Sequence, residues 1–112
     1  VLEGLSRTPK KLSSKYFYDE TGDKLFQDIM NMPEYYLTDA EYEIFETHKH
    51  KILQFIGDKP FDLIELGAGD GTKTKVLLRH FLAKSADFQY RPIDISENVL
   101  LELEEDLKAN LP

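Results

Sequence analysis

The chain of 112 residues contains no cysteine. Disulfides, thiolate nucleophiles and cysteine-based metal sites are therefore excluded. It also lacks any apolar stretch long enough to span a bilayer, and no secretory apolar region precedes its first charged residues. A cytoplasmic protein with no membrane partner is the expectation. Basic charge is scarce: Lys and Arg total 14 against 21 Asp and Glu, a net charge of -7. That balance argues against non-specific binding to nucleic acid or anionic membranes. His48 and His50 stand two apart, share no helix face and do not form the zinc-binding HExxH pattern, so no metal site is expected.

What is present centres on Phe61–Thr74, FDLIELGAGDGTKT. Phe61, Leu63, Ile64 and Leu66 form a strand-like run, and Gly67, Gly69 and Gly71 follow at once. A helical pattern comes next, expected over 72–84, with Val76, Leu77, Phe81 and Leu82 on one face. Strand, glycine turn and helix in that order open the ligand cleft of a doubly wound α/β domain. Glycine turns tightly, accepts positive φ and lets a ligand approach without a Cβ in the way. The spacing is GxGxG rather than GxGxxG, which weakens a dinucleotide reading. Glu65 beside the turn would repel a pyrophosphate. It suits a ligand with a positive centre, such as the sulfonium and amino acid of S-adenosylmethionine. A turn without a ligand is the structural alternative.

Before this stretch, Val1–Ser14 reads as an extended or irregular arm. Asp19 or Thr21 can cap a helix whose body is Lys24–Met30, with Leu25, Phe26 and Ile29 as its apolar stripe. Pro33 interrupts any continuation. Thr38-Asp39-Ala40-Glu41 has the form of a capping box and starts a helix expected to reach Ile56. Tyr35 and Tyr36 are adjacent and suit either packing or a pocket wall.

After it, Phe88–Ile95 is a second strand candidate, with Pro92 at a sheet edge or near the strand end. Asp94 falls where the tip of the next parallel strand would hold a carboxylate against ribose hydroxyls. Ser96 can cap a last helix striped with Val99, Leu100, Leu103 and Leu107. The chain starts with Val1, and its last helical pattern reaches Leu111 and Pro112 soon after the second strand. Two parallel strands leave most of a sheet uncovered. The expectation is therefore part of a larger polypeptide, inactive on its own, with the remainder of that polypeptide as a partner.

TPKKLSSKYFYDETGDKLFQDI, MPEYYLTDAE, ELGAGDGTKT and PIDIS, in this order, resemble the amino-terminal part of the histidine-specific, S-adenosylmethionine-dependent methyltransferases. The resemblance covers nearly the whole chain. It implies a Rossmann-like class I methyltransferase domain, with residues 1–56 as an amino-terminal helical and aromatic cap and 57–112 as the first half of the cofactor-binding domain. It implies that Tyr35 contacts the cofactor, Gly67 lies against its amino-acid portion, Lys73 approaches it and Asp94 holds the ribose. With the turn residues Glu65 and Gly69, these make the expected cofactor set. Tyr18 would meet the amino-acid substrate near its carboxylate. The implied activity is methyl transfer to the α-amino group of an amino acid, histidine or a related amine. A methyltransferase for another small molecule or a macromolecule, and a non-catalytic binding or structural domain, remain the alternatives.

Overall fold

A computed structural model describes residues 1–111 of the chain. A short helix α1 (Leu2–Leu5) and a 3-10 turn (Ser14–Phe17) precede four longer helices and two strands. These are α2 (Glu20–Met30), α3 (Leu37–Ile56), β1 (Phe61–Leu66), α4 (Thr74–Ala83), β2 (Phe88–Ile93) and α5 (Glu97–Asn110). The strands pair in parallel, from Phe61 opposite Phe88 to Leu66 opposite Ile93. α4 is the crossover between them, as parallel pairing requires. The fold is α/β, with α3 packed on α4.

Strand alternation sorts the two faces. Phe61, Leu63 and Glu65 of β1 turn inward with Phe88, Tyr90 and Pro92 of β2, while the residues between them face out. On the inner face Phe81 of α4 is fully buried. Its ring meets Phe61 and Phe88 edge-on at 5.6 and 5.5 Å. Val76, Leu77 and Leu78 complete the α4 contribution to the core. Leu78 takes the place expected of Leu82, which is exposed. Leu78 lies on the same side of α4 as the buried Thr74 and Phe81, while α3 meets α4 at Lys73 and His80. On the outer face Ile64, Leu66 and Ile93 are open, and Arg91 pairs with Asp62 at 3.0 Å.

The helix ends follow local chemistry. Asp19 caps α2 by accepting from Gly22 N at 2.8 Å. Gly22 is close to the preceding segment: a Cβ there would lie 1.7 Å from the Phe17 carbonyl oxygen. Ser96 caps α5, and Gly57 at φ 84° ends α3. The expected capping box at Thr38 is not used. α3 begins at Leu37 with Tyr36 as its N-cap and no side-chain cap bond. The turn closed by Tyr35 N on the Met32 oxygen delivers Tyr36 already in helical geometry, so Thr38 falls inside the first turn. The arm before residue 14 also differs from expectation by containing α1.

The apolar stripe of α2 stays exposed at Leu25, Phe26 and Ile29. Phe26 nevertheless meets the Tyr35 ring edge-on at 6.2 Å. Among the described residues, no helix is long and apolar enough to cross a membrane.

Candidate functional site

The strands end where the glycine turn begins. Gly67, Gly69 and Gly71 adopt φ of 69°, 54° and 67°, in the region that disfavours side chains. Gly67 N and Ala68 N donate to the Ile93 carbonyl at 2.7 and 3.3 Å, so the turn is fastened to the end of β2. Gly69 N donates to Asp94 Oδ2 at 3.0 Å. Gly71 N returns to the Ala68 oxygen at 3.1 Å, and Thr72 N to Asp70 Oδ1 at 2.9 Å. These N–H groups are spent inside the chain. A pyrophosphate cradle needs such groups free to point at the ligand.

The space above the turn is open. A Cβ built at Gly67 or Gly69 would meet nothing within 4 Å. Gly71 differs, because a Cβ there would lie 2.6 Å from Leu103 Cδ1 of α5. The first two glycines thus face open space, and the third lets α5 pack closely.

Asp94 stands just past β2 at the rim of that space. Oδ2 takes the Gly69 N–H and Oδ1 takes the Ser96 N–H, both at 3.0 Å. Each carboxylate oxygen can accept a further bond. A ribose with vicinal hydroxyls fits this acceptor.

Glu65 occupies the inner face instead. Thr74 Oγ1 donates to Oε1 at 2.6 Å and Tyr90 OH donates to Oε2 at 2.5 Å. The glutamate thus joins β1, β2 and the first residue of α4. Burial, followed by the bond to Glu65, raises the Tyr90 phenol far above its ordinary range, so it stays a donor. Thr74 is itself buried. A carboxylate near the start of α4 also suits the positive end of the helix.

Lys73 is the N-cap of α4, an unfavourable end for a cation. It pairs with Glu41 of α3 at 2.5 Å. Tyr35 is half-buried against Phe26, and Tyr18 is exposed just after the 3-10 turn. Glu65, Gly67, Gly69, Lys73 and Asp94 therefore gather at the carboxyl ends of the strands. The two tyrosines lie on the aromatic segments flanking α2. Among the described residues, neither phenol is hydrogen-bonded to the turn.

Sequence reasoning missed three participants: Tyr90, Thr74 and Glu41. Tyr90 was accessible through parity, since strand alternation places it on the same face as Glu65 once the strands pair. No comparable signal marks Glu41, which lies 32 positions from its partner.

The family described as histidine-specific, SAM-dependent methyltransferases matches residues 1–112. The "Histidine N-alpha-methyltransferase" of Mycobacterium tuberculosis is 37% identical over 100 residues, 89% of this chain and 30% of the relative. The protein of the same name from Mycolicibacterium smegmatis is 35% identical over 112 residues, 100% of this chain and 34% of the relative. "N-methyltransferase imqF" of Aspergillus flavus is 34% identical over 114 residues, covering 100% of this chain and 30% of its own length. The chain thus spans about a third of the length of the curated relatives it matches.

Proposed function

The chain belongs to the histidine-specific, SAM-dependent methyltransferase family, and from that premise we propose that it supplies the cofactor end of an amino-acid N-methyltransferase. The acceptor is the α-amino group of an amino acid, histidine foremost. A cytoplasmic setting, and a cap formed by residues 1–56 over a cofactor-binding part from 57 onward, belong to the same proposal.

The observation that carries it is Asp94: a carboxylate held at the edge of a turn whose glycine N–H groups are already paired. That arrangement favours ribose hydroxyls over a pyrophosphate. Bound S-adenosylmethionine supplies an electrophilic methyl group on a sulfonium. Asp94 accepts the ribose hydroxyls. Gly67 and Gly69 leave room for close backbone approach, and Lys73 offers a cation for the carboxylate of the methionyl portion. Glu65 holds the walls of the turn together and keeps the local field negative beside a positive centre. Tyr35 and Tyr18 contribute phenols that orient cofactor and substrate. The acceptor nitrogen must shed its proton to expose a lone pair. Alignment and charge complementarity are the main contributions such a site makes.

Isothermal titration separates the readings. S-Adenosylmethionine is expected to bind the folded chain and NAD to leave no heat signal; the reverse pattern would sink the proposal. Asp94→Ala is expected to weaken binding by about tenfold or more, roughly 1.4 kcal/mol, with circular dichroism reporting whether the fold persists. Methyl transfer by the family protein carrying this chain, assayed across free amino acids, tests the acceptor. Turnover of other amines with none of histidine would replace that part of the reading.

A further inference from the structure

Asp23 has a contact that its place in α2 does not require. It lies in the first turn of that helix, yet its Oδ2 accepts the Ser96 hydroxyl at 2.7 Å, across 73 positions of chain. Ser96 is only 5% exposed. Its backbone N–H donates to Asp94 Oδ1 at 3.0 Å, and its Oγ accepts from Val99 N at 3.4 Å. The other Asp94 oxygen accepts from Gly69. The bonds run without a break from α2, through the head of α5 and the tip of β2, to the glycine turn.

Capping of α5 accounts for the Ser96–Val99 bond. It leaves the hydroxyl proton without an acceptor, which a buried group needs. Asp23 is that acceptor, and a charged one, so the bond is stronger than one to a neutral oxygen. With its proton committed to Asp23, the hydroxyl presents a lone pair to Val99. Ser96 is thereby fixed, and with it the N–H that orients Asp94.

We propose that Asp23 is a positioning residue for Asp94: it holds the carboxylate in the orientation that receives the ribose and makes cofactor affinity depend on α2. This rests on the ribose reading of Asp94 given above. α2 begins two residues after Tyr18, so one side chain registers the proposed substrate segment against the proposed cofactor end.

The test is a double-mutant cycle by calorimetric titration of S-adenosylhomocysteine and its 2′,3′-dideoxyribose analogue. The proteins are the unaltered chain, Asp23→Ala, Asp23→Asn, Asp94→Ala and the double alanine variant, each checked by circular dichroism. Asp23→Ala is expected to weaken S-adenosylhomocysteine about fivefold, the scale of one hydrogen bond. Asp23→Asn keeps an acceptor oxygen and stays within about twofold of the unaltered chain. The double variant is no weaker than Asp94→Ala alone, since residues acting through one another are not additive. The dideoxy analogue binds the unaltered chain and Asp23→Ala equally. Full additivity, an equal loss for the dideoxy analogue, or unchanged affinity in Asp23→Ala overturns the inference while leaving the ribose reading in place. Unchanged affinity in Asp94→Ala overturns both.

Discussion

The Tyr90 hydroxyl donates to one oxygen of Glu65 at 2.5 Å while Thr74 donates to the other. One carboxylate thus binds the second strand and the start of α4 to the first strand. It does so directly beneath the glycine turn.

This bond has a pH signature. Tyr90 has its folded pKa raised above the ordinary 10.0, first by burial and then by Glu65. Its contribution is complete below about pH 10 and is lost as pH rises beyond that value, because the unfolded phenol ionises first. The added slope has an upper limit of about 1.4 kcal/mol per pH unit, reduced because the residue is only half-buried. Thermal unfolding followed from about pH 8 to about pH 11 should show the decline. Tyr90→Phe should cost about 1 kcal/mol at neutral pH and flatten that alkaline fall. A variant with the same alkaline slope as the unaltered chain would remove Tyr90 as its source.

A second titration acts at the acid side. His80 of α4 is buried and its ring meets His50 of α3 at 4.4 Å. Burial, then His50, Lys49 and Lys84, depress its pKa below 6.5, with Glu46 acting in the other direction. A depressed base favours the neutral folded form. Its contribution is therefore present above about pH 6.5 and lost as pH falls through that value and below. His80→Gln should make urea midpoints less dependent on pH between about 5 and about 7. An unchanged dependence would assign the acid loss elsewhere.

Gly67→Ala separates fold from binding. Its φ is 69°, and an added Cβ has open space around it. The backbone strain should cost about 1–2 kcal/mol. The methyl group enters the proposed cofactor space, so adenosylmethionine affinity should fall further than stability alone explains. Gly71→Ala should instead destabilise through Leu103, 2.6 Å from its added Cβ. Paired calorimetric titrations and melting curves would reveal either pattern.

Phe81→Ala should remove about 3–5 kcal/mol. Phe81 is 0% exposed and bridges Phe61 and Phe88, so nothing nearby can fill the gap cheaply. Domains commonly have only about 5–15 kcal/mol in total. Urea unfolding should show a large drop in midpoint, and a loss below about 1 kcal/mol would contradict this packing.

Local signals made much of this legible. The β1 run ends at the glycine turn because Gly67 begins the positive-φ stretch. The stripe around Leu103 and the serine at position 96 located α5, and Asp19 located α2. The strand tip also brought Asp94 to the turn. Where a partner lies far along the chain, the local pattern is silent. Thr38 to Glu41 spells a capping box, yet the preceding turn starts α3 earlier and leaves Glu41 to meet Lys73. Leu82 fits the helical stripe as well as Leu78 does, and only the packing around α4 chooses between them. Glu65 was legible as a carboxylate beside the turn, but its engagement with Thr74 and Tyr90 depends on the crossover bringing both to one side.

Gly22 shows what such proximity means for variation. The Phe17 carbonyl oxygen would lie 1.7 Å from any Cβ at this position, and the obstacle is backbone rather than a yielding side chain. In a saturation library, position 22 should therefore tolerate glycine alone, with alanine failing nearly as badly as larger residues. Rejection there would be set by the first carbon, not by side-chain size or polarity. The aromatic segment and the start of α2 consequently meet at a point where the chain has room for glycine alone.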